Sequence, residues 1–230
     1  MKLTRGQFIG ICMAGTVFSP CRNIESAYNE NTLYKAQHFV SLPEDNVKCL
    51  LCPRNCEIGN NQRGHCEVRE NRGGILYSLV YGYPCTIHPY DPIQKKPFFH
   101  VYPGSTTFSI ATVGCNIDCK FCQNWEIAQA RPEDISARYI PPEKIAEMAL
   151  DSKAKTVAYT YTEPTIFFEY MKDCVIAVKN KGLGNIVVSN GFISRKPLEE
   201  LCKIVTAIKV DLKAFTQKFS TYLKIFKRSI

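Results

Sequence analysis

The sequence predicts an α/β fold: a partial (β/α) barrel of about four β/α units behind a small N-terminal cysteine-rich metal-binding module. Three observations carry this. From Thr106 onward, short apolar strand patterns alternate with helical ones, which implies parallel strands joined by helical crossovers. Seven of the 12 cysteines fall in two tight groups, the distribution expected where thiols hold metal rather than form disulfides. A chain of 230 residues with ordinary apolar content can bury one good core with a small addition.

The formal net charge of +8 speaks to solubility and non-specific attraction, not to fold or activity. Lys218, Lys224, Lys227 and Arg228 fall within residues 216–230, which hold no acidic residue and read as a divergent basic tail. With no aromatic-basic stripe beside them, nucleic acid is disfavoured as a partner.

Residues 1–37 read as a signal-like or flexible segment. Lys2 and Arg5 precede an apolar run from Phe8 to Phe18, the layout of an export signal and too short to span a bilayer. The run is similar to a twin-arginine signal with Gly6 in place of the second arginine. The alternative is an N-terminal helix packed on the body. Residues 38–100 form the cysteine-rich module and its connecting strands. There Cys49-x2-Cys52-x3-Cys56 is followed, after a turn rich in Gly and Asn, by Cys66. Four thiolates so spaced can close a tetrahedral site. Zinc and a second 4Fe-4S cluster both satisfy it, and disulfide pairing is the alternative. His65 reads as a neighbour of that site, Ile75–Tyr83 as a strand, and Cys85 as a small packing residue.

Residues 101–215 carry the partial barrel. Thr106–Val113 is its first strand and runs straight into GCNIDCKFCQNW, Gly114–Trp125. Here Cys115-x3-Cys119-x2-Cys122 brings three sulfurs to one compact loop and supplies no fourth, which suits an iron-sulfur cluster with one open iron. A zinc loop would need a fourth ligand from far away. A helix follows from Pro142, then a strand at Thr156–Tyr161, a helix at Thr165–Asn180, a strand at Asn185–Val188, a helix at Lys196–Ile204 and a strand at Ala207–Leu212. Cys174 and Cys202 read as core. Chemistry in such a fold is expected at the C-terminal strand ends.

The Cys-x3-Cys-x-aromatic-Cys spacing, with Phe121 in the aromatic place, resembles the radical S-adenosylmethionine (SAM) enzymes. The longer run Asp91–Gln129 is similar to the radical SAM member of the AmmeMemoRadiSam system, a relative of the pyruvate formate-lyase activating enzymes, and the four-cysteine segment from Lys48 resembles that family's N-terminal module. The resemblance implies that Cys115, Cys119 and Cys122 hold a 4Fe-4S cluster. It also implies that SAM chelates the open iron and is reductively cleaved to a 5'-deoxyadenosyl radical. That radical would abstract hydrogen from an unknown substrate, by analogy a protein. Tyr161-Thr162-Glu163-Pro164 stands where relatives have a Gly-Gly-Glu-Pro turn, so Thr162 and Glu163 are implied SAM contacts. Ser189 and Asn190 are the polar candidates beside Val188, the place of a ribose-binding acid. Asp211 and Lys213 end the next strand, where the lysine can meet the SAM carboxylate.

The resemblance further implies a reductant such as a flavodoxin or ferredoxin, companion proteins of the same system, and retention in the cytoplasm, where SAM and low-potential electrons are found. The family's barrel continues beyond the four units visible here, so a truncated or frameshifted member is expected. The rival reading is a truncated, non-catalytic protein that binds iron-sulfur or zinc.

Overall fold

The computed structural model describes residues 33–216, 218 and 219. The apolar run at Phe8–Phe18 and the basic residues Lys224, Lys227 and Arg228 lie outside them. The described chain opens with short strands: β1 (Tyr34–Lys35), β2 (Phe39–Ser41), β3 (Val47–Cys49), β4 (Glu57–Ile58), β5 (Arg69–Arg72) and β6 (Ile75–Ser78). They form two antiparallel sheets, ordered β1-β6-β5 and β2-β3-β4. Gly73 and Gly74, at φ 58° and 77°, supply the left-handed pair that a two-residue hairpin needs between β5 and β6. The expected strand Ile75–Tyr83 is thus confined to Ile75–Ser78, its first half, where it pairs in that hairpin.

The main sheet begins with a strand that the sequence pattern did not reveal. β7 (Thr86–Pro92) runs antiparallel to β8 (Thr106–Ala111), with a register shift between His88 and Asp91. Pro89 sits inside that bulge, one of the few places where a strand tolerates proline. β9 (Thr156–Tyr159), β10 (Gly184–Ser189) and β11 (Ala207–Val210) then add in parallel, giving the order β11-β10-β9-β8-β7. The expected parallel strands are therefore present. Among the described residues the sheet stays open, with β7 and β11 as its edges, and no closed barrel forms.

A short helix α1 (Trp125–Ala128) follows the cysteine loop, and α2 (Pro142–Asp151), α3 (Phe168–Asn180) and α4 (Arg195–Cys202) make the crossovers. Pro142 opens α2, where its missing N–H costs nothing. In α3, Phe168, Met171, Val175 and Val178 recur on one face and are fully buried. Each contributes roughly 1.5–3 kcal/mol of burial free energy. Val47, Leu51 and Val68 of the cysteine-rich segment join Phe108, Tyr159 and Phe167 in one hydrophobic core, so that segment packs into the body. No described helix is long and apolar enough to cross a membrane.

Candidate functional site

The chain leaves β8 through Gly114 into the loop of Cys115, Cys119 and Cys122. Gly114 holds φ 94°, and a Cβ there would lie 2.6 Å from Val68 Cγ1 and 2.7 Å from the Cys66 carbonyl oxygen. Only glycine lets the loop pass so close to the cysteine-rich segment. The three cysteines are free thiols on the wall of one cavity of about 700 Å3. Burial raises the Cys115 thiol well above its usual value, and the nearby Glu163 charge adds to this. Cys119 is also raised by burial, against the opposing charge of Lys213.

The strand ends bring most of the expected residues to the same cavity. Thr162, Ser189, Asn190, Asp211, Lys213 and Phe121 all line it. Thr162 Oγ1 donates to the Thr112 carbonyl at 2.8 Å, which ties the end of β9 to the start of the cysteine loop. Asn190 Nδ2 donates to Asn116 Oδ1 at 2.8 Å and approaches Cys115 Sγ at 3.9 Å. Lys213 Nζ donates to Asp211 Oδ2 at 2.9 Å, and Lys209 pairs with the other carboxylate oxygen. Phe121 is 54% exposed, with its ring stacked 6.2 Å from Phe219.

Glu163 is placed differently from its neighbour Thr162. It is fully buried, off the cavity wall, and both its oxygens are engaged. Oε1 accepts from Thr165 N at 3.0 Å, Thr165 Oγ1 at 2.6 Å and Ser189 Oγ at 2.8 Å, while Oε2 accepts from Asn190 N at 2.8 Å. Burial raises its carboxyl, and these hydrogen bonds work the other way. Glu163 therefore fixes Ser189 and Asn190 rather than facing the cavity.

Cys49, Cys52, Cys56 and Cys66 line a second, smaller cavity, together with Arg69 and Asn116. Burial pushes the Cys52 thiol up to about 11 and Cys66 up to about 12. The buried Arg69 approaches Cys49 Sγ at 3.6 Å and pairs with Glu169. Asn116 stands between the two cavities: its carbonyl accepts from Arg54 Nε at 2.7 Å, and its side chain meets Asn190. His65 Nε2 lies 3.1 Å from Asp118 Oδ1, a further link between the two cysteine segments.

Among the described residues, no group of three or more Cys, His, Asp and Glu side chains is gathered closely enough to hold a metal ion as it stands. The donor chemistry of the larger cavity nevertheless fits an iron-sulfur cluster. Three thiols face it, the neighbouring Asn190 amide can donate to sulfur, and the space exceeds what a single ion needs.

Several residues on this cavity escaped the sequence reading. Tyr161 adopts φ 67°, a left-handed conformation unusual for a bulky residue, at a place where the resembling turn has glycine. Its hydroxyl donates to Asp91, its carbonyl accepts from Asn124 Nδ2 at 2.9 Å, and Lys96 Nζ lies 3.8 Å over its ring. Lys95, Lys96 and Lys209 also line the cavity. Asp91 lies in β7 and Lys95 in the short turn after it, so their ion pair carried no helical spacing signal in the sequence.

Residues 109–230, more than half of the chain, match the model of the Radical SAM superfamily. An uncharacterized protein of Methanocaldococcus jannaschii is 41% identical over 179 residues, covering 78% of this chain and 53% of that protein. The chain spans about half the length of the relative it matches.

Proposed function

The chain belongs to the radical SAM superfamily, and on that premise we propose that it binds a 4Fe-4S cluster through Cys115, Cys119 and Cys122 and SAM in the cavity beside them. When bound, the cluster and SAM supply one electron and, by reductive cleavage of SAM, a 5'-deoxyadenosyl radical for hydrogen abstraction. The chain's own residues bind, orient and shield. Asn190 is poised to donate to the Cys115 sulfur, which favours its thiolate over the buried thiol. Lys213, beside Cys119, offers its ammonium to the SAM carboxylate. Thr162, Ser189 and Asp211 supply polar atoms along the strand ends, Phe121 an aromatic rim, and Glu163 the internal brace behind them. The observation that carries this reading is that the three cysteines and these strand-end residues line a single cavity.

Cys49, Cys52, Cys56 and Cys66 are proposed to take a second metal, either zinc or a 4Fe-4S cluster, since four thiolates suit both. The Asp91–Gln129 run supports kinship with the AmmeMemoRadiSam enzymes. With that kinship go a flavodoxin- or ferredoxin-type reductant, companion proteins of that system, a protein substrate by analogy, and action in the cytoplasm.

Anaerobic reconstitution followed by reduction and electron paramagnetic resonance tests the cavity reading. Addition of SAM is expected to perturb the reduced-cluster signal, and Lys213→Ala to weaken that response. A cluster signal indifferent to saturating SAM would contradict it.

A further inference from the structure

The cavity carries two lysine pairs, each sharing one carboxylate, at opposite edges of the main sheet. At the end of β11, Lys209 within the strand and Lys213 just past it share Asp211. Beyond β7, Lys95 Nζ lies 3.0 Å from Asp91 Oδ1, and Lys96 Nζ 2.8 Å from Asp91 Oδ2. Two ammonium groups on one carboxylate leave a net positive charge in each unit. Among the described residues, Asp211 is the only carboxylate lining the cavity. The Lys213 unit adjoins Cys119, on the cluster side. The Lys95–Lys96 unit has no part in that reading.

The second unit is built rather than incidental. Lys96 is only 3% exposed and sits over the Tyr161 ring, while Tyr161 donates to the same Asp91 carboxylate. Asn124, two residues after Cys122, donates its Nδ2 to the Tyr161 carbonyl at 2.9 Å, so this wall is tied to the cysteine loop. The Lys95 side chain is 62% exposed, and an ammonium with three donors that gives one to Asp91 has two left. A buried ammonium and a half-free one, fixed on a shared carboxylate, make a preformed receptor for an anion.

We propose that Lys95 and Lys96, braced by Asp91 and Tyr161, bind an oxyanion of the substrate, a carboxylate or a phosphate group. The inference rests on the reading of this cavity as the radical SAM site, and it adds the chemical class that the substrate presents there.

The test uses calorimetric titration of the reconstituted protein with pyrophosphate, succinate and, separately, SAM. Binding of pyrophosphate or succinate is expected, with the tighter probe identifying a phosphate or a carboxylate source. Both Lys95→Ala and Lys96→Met should weaken that binding about tenfold while leaving SAM affinity within about twofold. Lys95→Ala removes a largely exposed side chain and keeps the test valid if Lys96→Met fails to fold. Binding of neither probe, or equal binding by wild type and Lys95→Ala, would overturn the proposal. Loss of SAM binding in the wild type, with probe binding still dependent on Lys95, would instead overturn the SAM reading and leave the oxyanion site standing.

Discussion

Ser189 Oγ donates to Glu163 Oε1 at 2.8 Å, inside the protein, and so joins the end of β10 to the turn that follows β9. Asn190 N completes the link at Oε2. The carboxylate thereby sets the positions of two residues on the cavity wall without reaching the cavity itself. Glu163→Ala would leave the donors of Thr165, Ser189 and Asn190 buried without their acceptor. At about 1–3 kcal/mol for each group so stranded, a loss of roughly 3 kcal/mol or more is expected in urea unfolding. Glu163→Gln should cost less, because one oxygen remains. A Glu163→Ala variant as stable as wild type would contradict this role.

Arg69 and Glu169 form a buried ion pair, and Glu169 Oε1 also accepts from Gln37 N at 2.7 Å. Breaking such a pair from one side strands a charge and costs about 3–5 kcal/mol. Arg69→Met is expected to destabilise by that amount. Arg69→Met combined with Glu169→Leu should recover most of it, because no charge is then left alone. A double variant as unstable as the sum of its parts would show that the two residues act independently.

Asp91 gives a pH dependence of defined sign. Burial opposes its charge, but hydrogen bonds from Lys96, Tyr161 and Lys95 overcome this and hold the carboxyl well below its usual range. A folded value depressed below the unfolded one contributes stability that is present above the unfolded value of 3.8 and lost as pH falls below it. Asp91→Asn should therefore be less stable than wild type at neutral pH. The gap should close as pH falls from about 5 downward. A gap constant with pH, followed by denaturant midpoint, would contradict the assignment.

The parallel core of the sheet was legible because its strands are short apolar runs set between helical patterns, and each falls within a few residues of its expected bounds. The cavity was legible through the cysteine spacing and the polar residues at the strand ends. β7 was hidden because Pro89 and Pro92 break a strand pattern unless a bulge absorbs them. Glu163 reads with Thr162 as a cavity residue because the two stand together in a turn that resembles Gly-Gly-Glu-Pro. Only the side-chain direction, set by the helical turn Pro164–Phe167 that follows, turns its carboxylate inward. Tyr161 occupies a left-handed position that sequence reasoning reserves for glycine, and its anchors, Asp91 and Lys96, lie some seventy residues away.

Cys52→Ser is expected to remove the second metal alone. Anaerobically loaded wild type and variant should differ by about one zinc or about four iron atoms, and the difference names the metal. Equal metal content would show that Cys49, Cys52, Cys56 and Cys66 hold none.

The most direct measurement is the yield of 5'-deoxyadenosine from the anaerobically reconstituted, reduced protein supplied with SAM. Deoxyadenosine is expected from wild type, with Cys119→Ala lowering it to background. A wild-type protein with its cluster intact and no deoxyadenosine formed would contradict the account, and would favour a non-catalytic metal-binding protein.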